Sequence, residues 1–187
     1  YMFDTFVVGM SNDLARSAAL AILDNPGTIY NPLFIYSEVG LGKTHLLHAI
    51  GHKAISNGLS VIYRTTEEFT NEYINSIREG RTERFRNRYR YTDLLLLDDI
   101  QFVMGKEQTQ EGFFHTFNAI HLAGRQIVIT SDRPISGLSF LQDRVLSRLS
   151  GGLVVDIHPP DVETRFAILK LKAERSKSHF PIDVLQF

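Results

Sequence analysis

The sequence predicts an α/β fold: a three-layer αβα core on a parallel sheet. Two observations carry that expectation. Short apolar runs alternate along the chain with longer amphipathic patterns at helical spacing. The runs themselves, such as Leu94-Leu95-Leu96-Leu97 and Ile127-Val128-Ile129, are apolar at consecutive positions, so both faces of each strand are buried. Strands of that kind need helices on both sides of the sheet.

In chain order, a helix is expected over Asp13–Leu23, because its apolar positions recur on one face. Strand Leu33–Tyr36 runs into a Gly-rich loop, and helix Thr44–Ser56 follows, stopped by Asn57-Gly58. Strand Ser60–Arg64 precedes helices Glu67–Ile77 and Thr82–Tyr89. Strand Asp93–Leu97 precedes helix Thr109–Leu122, stopped by Ala123-Gly124. Strand Gln126–Thr130 precedes helix Leu141–Leu149, and strand Leu153–Ile157 closes the alternation. Pro159-Pro160 marks a boundary, after which Asp161 opens a long helix to Ser178. The expected organisation is a core over 1–158 and, over 159–187, the start of a smaller helical subdomain. The chain begins without Met and stops in mid-pattern, so a longer protein is expected around it.

With 187 residues, 43% hydrophobic and 22% charged, the composition is that of an ordinary globular domain. The absence of Cys excludes a disulfide scaffold, thiolate metal sites and thiol catalysis, and fits a reducing compartment such as the cytoplasm. No apolar stretch reaches the ~20 residues of a membrane span. A net charge of −1 makes the whole domain no magnet for nucleic acid, although six arginines fall between Arg78 and Arg90. Phe85 and Tyr89 share a helical face within that cluster, which reads more simply as a solvated amphipathic helix.

Four motifs carry chemistry. Ser37-Glu38-Val39-Gly40-Leu41-Gly42-Lys43-Thr44 follows a buried strand and opens a helix, the context required of a phosphate-binding loop. Its glycines let successive N–H groups face phosphate oxygens, Lys43 can reach the terminal phosphates, and the Thr44 hydroxyl can ligate Mg²⁺. Ser37 stands where the pattern has Gly; if that position needs a positive φ, it stores about 1–2 kcal/mol. Secondly, Asp98-Asp99 end a buried strand where ligands bind in an open parallel sheet. Asp98 suits a metal beside phosphates, and Asp99 suits orientation of an attacking water. Thirdly, Thr130-Ser131-Asp132-Arg133 end another strand, which puts Asp132 in range of a terminal phosphate. Fourthly, Arg144 and Arg148 stand at i, i+4 on one helical face and suit either a salt-bridged surface or a charge offered to a neighbouring subunit's site. His45, His48 and His52 share a helix face but lack a carboxylate that would complete a metal site, and His115 and His121 read as structural.

Taken together, these motifs resemble the ATPase domain of the DnaA family, AAA+ P-loop NTPases that initiate bacterial replication. The resemblance covers nearly the whole chain. It includes Phe3-Asp-Thr-Phe-Val-Val-Gly9, Asn31-Pro-Leu-Phe-Ile-Tyr36, Leu97-Asp-Asp-Ile-Gln-Phe102, Phe113-Phe-His-Thr-Phe-Asn118 and Pro159-Pro-Asp161 with Glu163-Thr164-Arg165. It implies an AAA+ core cut in or before its helical lid, binding ATP or ADP with Mg²⁺. The nucleotide would contact Ser37, Val39, Gly40, Leu41, Gly42, Lys43, Thr44 and His45, with Val8, Gly9 and Asn12 beside the adenine. Thr44 and Asp98 would hold the metal, with Asp99 and the sensor Asp132 catalytic. Arg148 would be the finger acting on ATP in the adjacent protomer, and Arg144 its interface neighbour. Ile74, Lys106 and Thr109 match positions that contact single-stranded DNA, with Gln108 where the family usually has Arg. The implied partners are further copies of the chain in an ATP-dependent filament on origin DNA, which opens the duplex and holds a single strand. Slow hydrolysis would reset the switch. Duplex boxes would be read by a C-terminal domain, and the replicative helicase engaged elsewhere in the full-length protein. A helicase loader of similar build, or a regulatory paralogue acting as an interaction module, are the rival readings.

Overall fold

Side-chain alternation along each strand decides which helical layer it faces. In the computed structural model, which describes residues 1–103 and 107–176, the strands are β1 Leu33–Tyr36, β2 Val61–Thr65, β3 Leu94–Asp98, β4 Gln126–Ser131 and β5 Leu153–Asp156. All pair in parallel, in the order β2-β3-β4-β1-β5. The helices are α1 Asp13–Asp24, α2 Lys43–Ser56, α3 Thr66–Arg78, α4 Thr82–Arg90, α5 Glu107–Leu122, α6 Asp143–Ser150 and α7 Val162–Ser176.

Leu33, Ile35, Leu94, Leu96 and Val128 pack with α1 and α2 on one face. Phe34, Leu95, Leu97, Ile127 and Ile129 pack with α3, α4, α5 and α6 on the other. The period of two thus sorts the strand residues into two cores, and the three-layer expectation holds. In α4, Phe85 and Tyr89 enter the second core against Phe69, with ring centroids 5.4 and 5.3 Å away, while the α4 arginines stay exposed. The cluster is therefore the solvated face that the i, i+4 aromatics suggested.

Element ends follow local chemistry. A capping box starts α3: Glu68 N donates to Thr65 Oγ1 at 3.1 Å, and Thr65 N donates to Glu68 Oε2 at 2.9 Å. Helix α6 starts at Asp143 and not Leu141, because Gln142 is extended at φ −63°, ψ 144°, and Leu141 is spent on the core. Strand β3 runs one residue further than the apolar run, taking in Asp98. That extension fixes the carboxylate's backbone within the ladder, opposite Thr65 of β2. The sequence-predicted end of the last helix, at residues 177–178, lies outside the described residues.

Candidate functional site

Strands β1, β3 and β4 end side by side, and their C-terminal ends bring the first three motifs together. The loop after β1 is tied to β4 where Ser37 N donates to Ser131 O at 3.2 Å. Gly40 and Gly42 take positive φ, 86° and 99°. The expected strain at Ser37 is absent: among the described residues, the only non-glycines with positive φ are Tyr30 and Asp99. Ser37 instead contributes its hydroxyl and carbonyl to the loop. Gly42 caps α2 without a side-chain bond and no acid follows in the first turn, so the helix start suits an anion.

Lys43 is buried, and its Nζ donates to Ser37 O at 2.8 Å, Glu38 O at 2.9 Å and Ser37 Oγ at 3.2 Å. Burial pulls its pKa down, and the charges of Asp99, Asp132 and Asp98 push back. The ammonium group is thus folded into the loop within the field of three carboxylates.

Asp98 is buried at the centre of a hydroxyl cluster. Its Oδ2 accepts from Thr44 Oγ1 at 2.9 Å and from Tyr63 OH at 3.2 Å, and its Oδ1 accepts from Thr130 Oγ1. Burial first, then the Asp98 charge, raises the Tyr63 pKa and keeps it a donor. The Thr44 hydroxyl and the Asp98 carboxylate are hard oxygen donors side by side, which fits Mg²⁺. No group of three His, Asp or Glu residues able to hold a metal occurs among the described residues, so a cation here would draw its remaining ligands from water and phosphate, as Mg²⁺ does. Asp99 sits in the left-handed region, φ 60°, with its N–H donating to Thr130 Oγ1 at 2.9 Å. Asp132 reaches the same edge. Its carboxylate accepts Arg133 Nε at 2.7 Å and a second guanidinium nitrogen at 2.9 Å, and this pairing first lowers its pKa.

A cavity of about 280 Å³ adjoins the loop, bounded by Phe6, Val7, Asn12 and Leu41 and by Ile168 and Leu171 of α7. Asn12 and His45 line this cavity, and Val8 and Gly9 are not part of its lining. Asn12 shapes the segment, accepting from Gly9 N at 3.0 Å and donating to Val7 O at 3.0 Å. Gly9 backs onto α7, where an added Cβ would lie 2.1 Å from Thr164 Oγ1. Gly9→Ala is therefore expected to push α7 off the cavity and weaken ligand binding there several-fold, with a stability loss of about 1–3 kcal/mol; a thermal melt and a ligand titration check both. Sequence reasoning missed the α7 wall. Its apolar positions 168 and 171, at i, i+3, were the available signal.

Arg144 and Arg148 stand apart from this cluster, exposed on α6. Arg144 lies over the Phe114 ring at 4.7 Å and donates to Gln142 Oε1 at 2.7 Å. Ile74 and Thr109 line one groove with Gln108; Ile74 is half-buried, Thr109 is buried, and Lys106 lies outside the described residues. Of the three histidines on α2, His45 Nε2 is hydrogen-bonded to Met2 O at 3.0 Å, the His48 ring lies 4.4 Å from that of Tyr63, and His52 is exposed. No described helix is long and apolar enough to cross a membrane.

The profile of the bacterial DnaA ATPase domain matches residues 1–156. The chromosomal replication initiator protein DnaA of Thermomicrobium roseum is 59% identical over the whole chain, which spans 41% of that protein. Domain III of the Thermotoga maritima replication initiation protein DnaA superposes with a TM-score of 0.95 at 48% identity, covering 100% of this chain and 79% of that one. A replication initiator DnaA structure bound to AMPPCP and single-stranded DNA superposes at 0.92 and 43% identity, covering 100% and 59%.

Proposed function

The chain belongs to the bacterial DnaA ATPase domain family, and we propose that it is the ATP-binding core of a replication initiator, acting as a nucleotide-switched assembly unit in the cytoplasm. The observation that carries this reading is the convergence of the loop with the acidic pair: Thr44 Oγ1 stands 2.9 Å from Asp98 Oδ2, although the two residues are 54 apart in sequence. Family membership favours the initiator over the helicase loader, and the intact Asp98-Asp99 pair argues against a regulatory paralogue acting mainly as an interaction module.

On this reading Lys43 exchanges its loop carbonyls for phosphate oxygens when ATP enters. The N–H groups of the α2 start bind the same phosphates. Thr44 and Asp98 would hold Mg²⁺, which would neutralise phosphate charge. Asp99 orients the attacking water, and Asp132 reports the terminal phosphate. The cavity walled by Phe6, Asn12 and α7 takes the base, so the segment after Pro159-Pro160 begins the lid over the nucleotide. Arg148 completes the site of a neighbouring copy, which makes ATP the bridge of a filament on origin DNA. Duplex boxes and the replicative helicase are partners of the longer protein. Isothermal titration with ATP and ADP, with and without Mg²⁺, tests the core of the reading, and absence of heat with either nucleotide overturns it.

The Ile74–Thr109 groove is the proposed single-strand contact. Gln108 is exposed there in place of the usual Arg. Gln108→Arg is expected to tighten single-strand binding and to steepen the dependence of log K on log salt by about 0.7. Fluorescence anisotropy at several salt concentrations checks this, and an unchanged slope removes position 108 from the phosphate contacts.

A further inference from the structure

We infer that Gln101 is a positioning residue for ATP hydrolysis: its side-chain amide fixes the Asp99 carboxylate and ties it to the backbone of Asp132. The inference rests on the ATP-hydrolysing reading above and adds to it a residue that none of the four sequence motifs marked for chemistry.

Gln101 lies in the 3-10 turn Ile100–Val103, immediately after β3, and is 5% exposed. Both ends of its amide are used. Nε2 donates to Asp99 Oδ1 at 3.0 Å, and Oε1 accepts from Asp132 N at 3.3 Å. The partners dictate the orientation of the amide, because a carboxylate only accepts and a backbone N–H only donates. One side chain therefore bridges the carboxylate that orients water and the residue that senses the terminal phosphate.

Asp99 needs such a restraint. Its backbone is in the left-handed region at φ 60°, a conformation that persists where surrounding contacts over-determine it. Three contacts do so here: Asp99 N donates to Thr130 Oγ1, its carbonyl accepts from Phe102 N at 3.1 Å, and its Oδ1 accepts from Gln101 Nε2. Oδ2 accepts no hydrogen bond among the described residues, which leaves it for a water. Thr130 also donates to Asp98, so one hydroxyl holds the metal-side carboxylate and the backbone N–H of Asp99, while one amide joins the Asp99 carboxylate to the Asp132 backbone. Misplacing a reacting group by ~1 Å costs roughly 100-fold in rate, whereas ground-state binding through Lys43 does not pass through Gln101.

Two variants separate positioning from packing. Gln101→Glu keeps the size and the acceptor for Asp132 N but opposes Asp99 with a like charge. Gln101→Leu keeps the bulk and removes both bonds. In single-turnover assays each is expected to lose at least ~10-fold in hydrolysis rate while the Kd for ATP stays within about 3-fold of wild type. In the nucleotide-free protein, solvent exchange of the Gln101 side-chain amide protons should be slow by NMR and should accelerate in Asp99→Ala. Wild-type hydrolysis in Gln101→Glu, a loss of rate that merely tracks a loss of affinity, or fast exchange in the wild type overturns the inference while leaving ATP binding standing. A wild-type chain that binds no ATP overturns the functional reading, and the inference with it.

Discussion

Lys43→Ala should lower ATP affinity by about 100-fold or more, which is roughly 2.7 kcal/mol. The ammonium group is the one cation buried inside the loop, and charge-assisted bonds to phosphate are about twice as strong as neutral ones. Its present partners are the Ser37 and Glu38 carbonyls and the Ser37 hydroxyl, all of which lie on a loop that water can reach once the side chain is cut back. The variant should therefore stay folded. Burial already disfavours the charged form, so removing the charge also removes a desolvation cost. Isothermal titration with ATP, paired with a thermal melt, separates lost binding from lost fold. Unchanged affinity in a folded variant would sink the phosphate-loop assignment. Lys43→Arg should not rescue, because a planar fork cannot follow the path of the ammonium through this loop.

Arg148→Ala should behave in the opposite way. The guanidinium is exposed on α6 and has no ion pair or hydrogen bond among the described residues, so its loss should change stability by no more than about 0.5 kcal/mol. ATP affinity of the single subunit should also be unchanged, since α6 contributes nothing to the cavity beside the loop. What should disappear is ATP-dependent assembly in a chain extended through the lid, read by light scattering or sedimentation. Arginine fingers supply about 10³–10⁵ in rate where they act on transferring phosphate, so any hydrolysis that depends on assembly should fall with it. Normal filaments from Arg148→Ala would show that the finger lies elsewhere. Arg144→Ala is the sharper control, because Arg144 already has a place on its own subunit over Phe114.

Much of this site was legible in the sequence. The loop from Ser37 to Thr44 announces itself because its chemistry is local: glycines that turn the backbone, then a cation and a hydroxyl at the helix start. Asp98 and Asp99 stood out because carboxylates at the end of Leu94-Leu95-Leu96-Leu97 break an otherwise apolar run. Ser37 was the weak point, since the pattern said Gly, yet the positive φ falls on Gly40 and Gly42 and the serine is relaxed. Thr130, Tyr63 and Gln101 were not legible as a set. A threonine and a tyrosine in strands, and a glutamine in a turn, are common in places with no chemistry. Tyr63 and Thr130 acquire meaning only because neighbouring strands bring them to Asp98, and Gln101, already beside Asp99, only because β4 delivers Asp132 to its other end. The surroundings of Val8 and Gly9 were illegible for a related reason. A matching segment says nothing of which way each residue faces, and the fold sets Gly9 against Thr164.

By itself the sequence determined the alternation of strand and helix, the burial of β1, β3 and β4 on both faces, and the identity of the phosphate loop, because each rests on interactions between residues close in the chain. The tertiary structure decided that β4 lies between β3 and β1. From that order follow the meeting of Thr44 with Asp98, the sharing of Thr130 between Asp98 and Asp99, and the bridge of Gln101 from Asp99 to Asp132. Strand order is settled by which apolar faces bury together, a property of the whole core, and so the site's distances belong to the fold and not to any stretch of sequence.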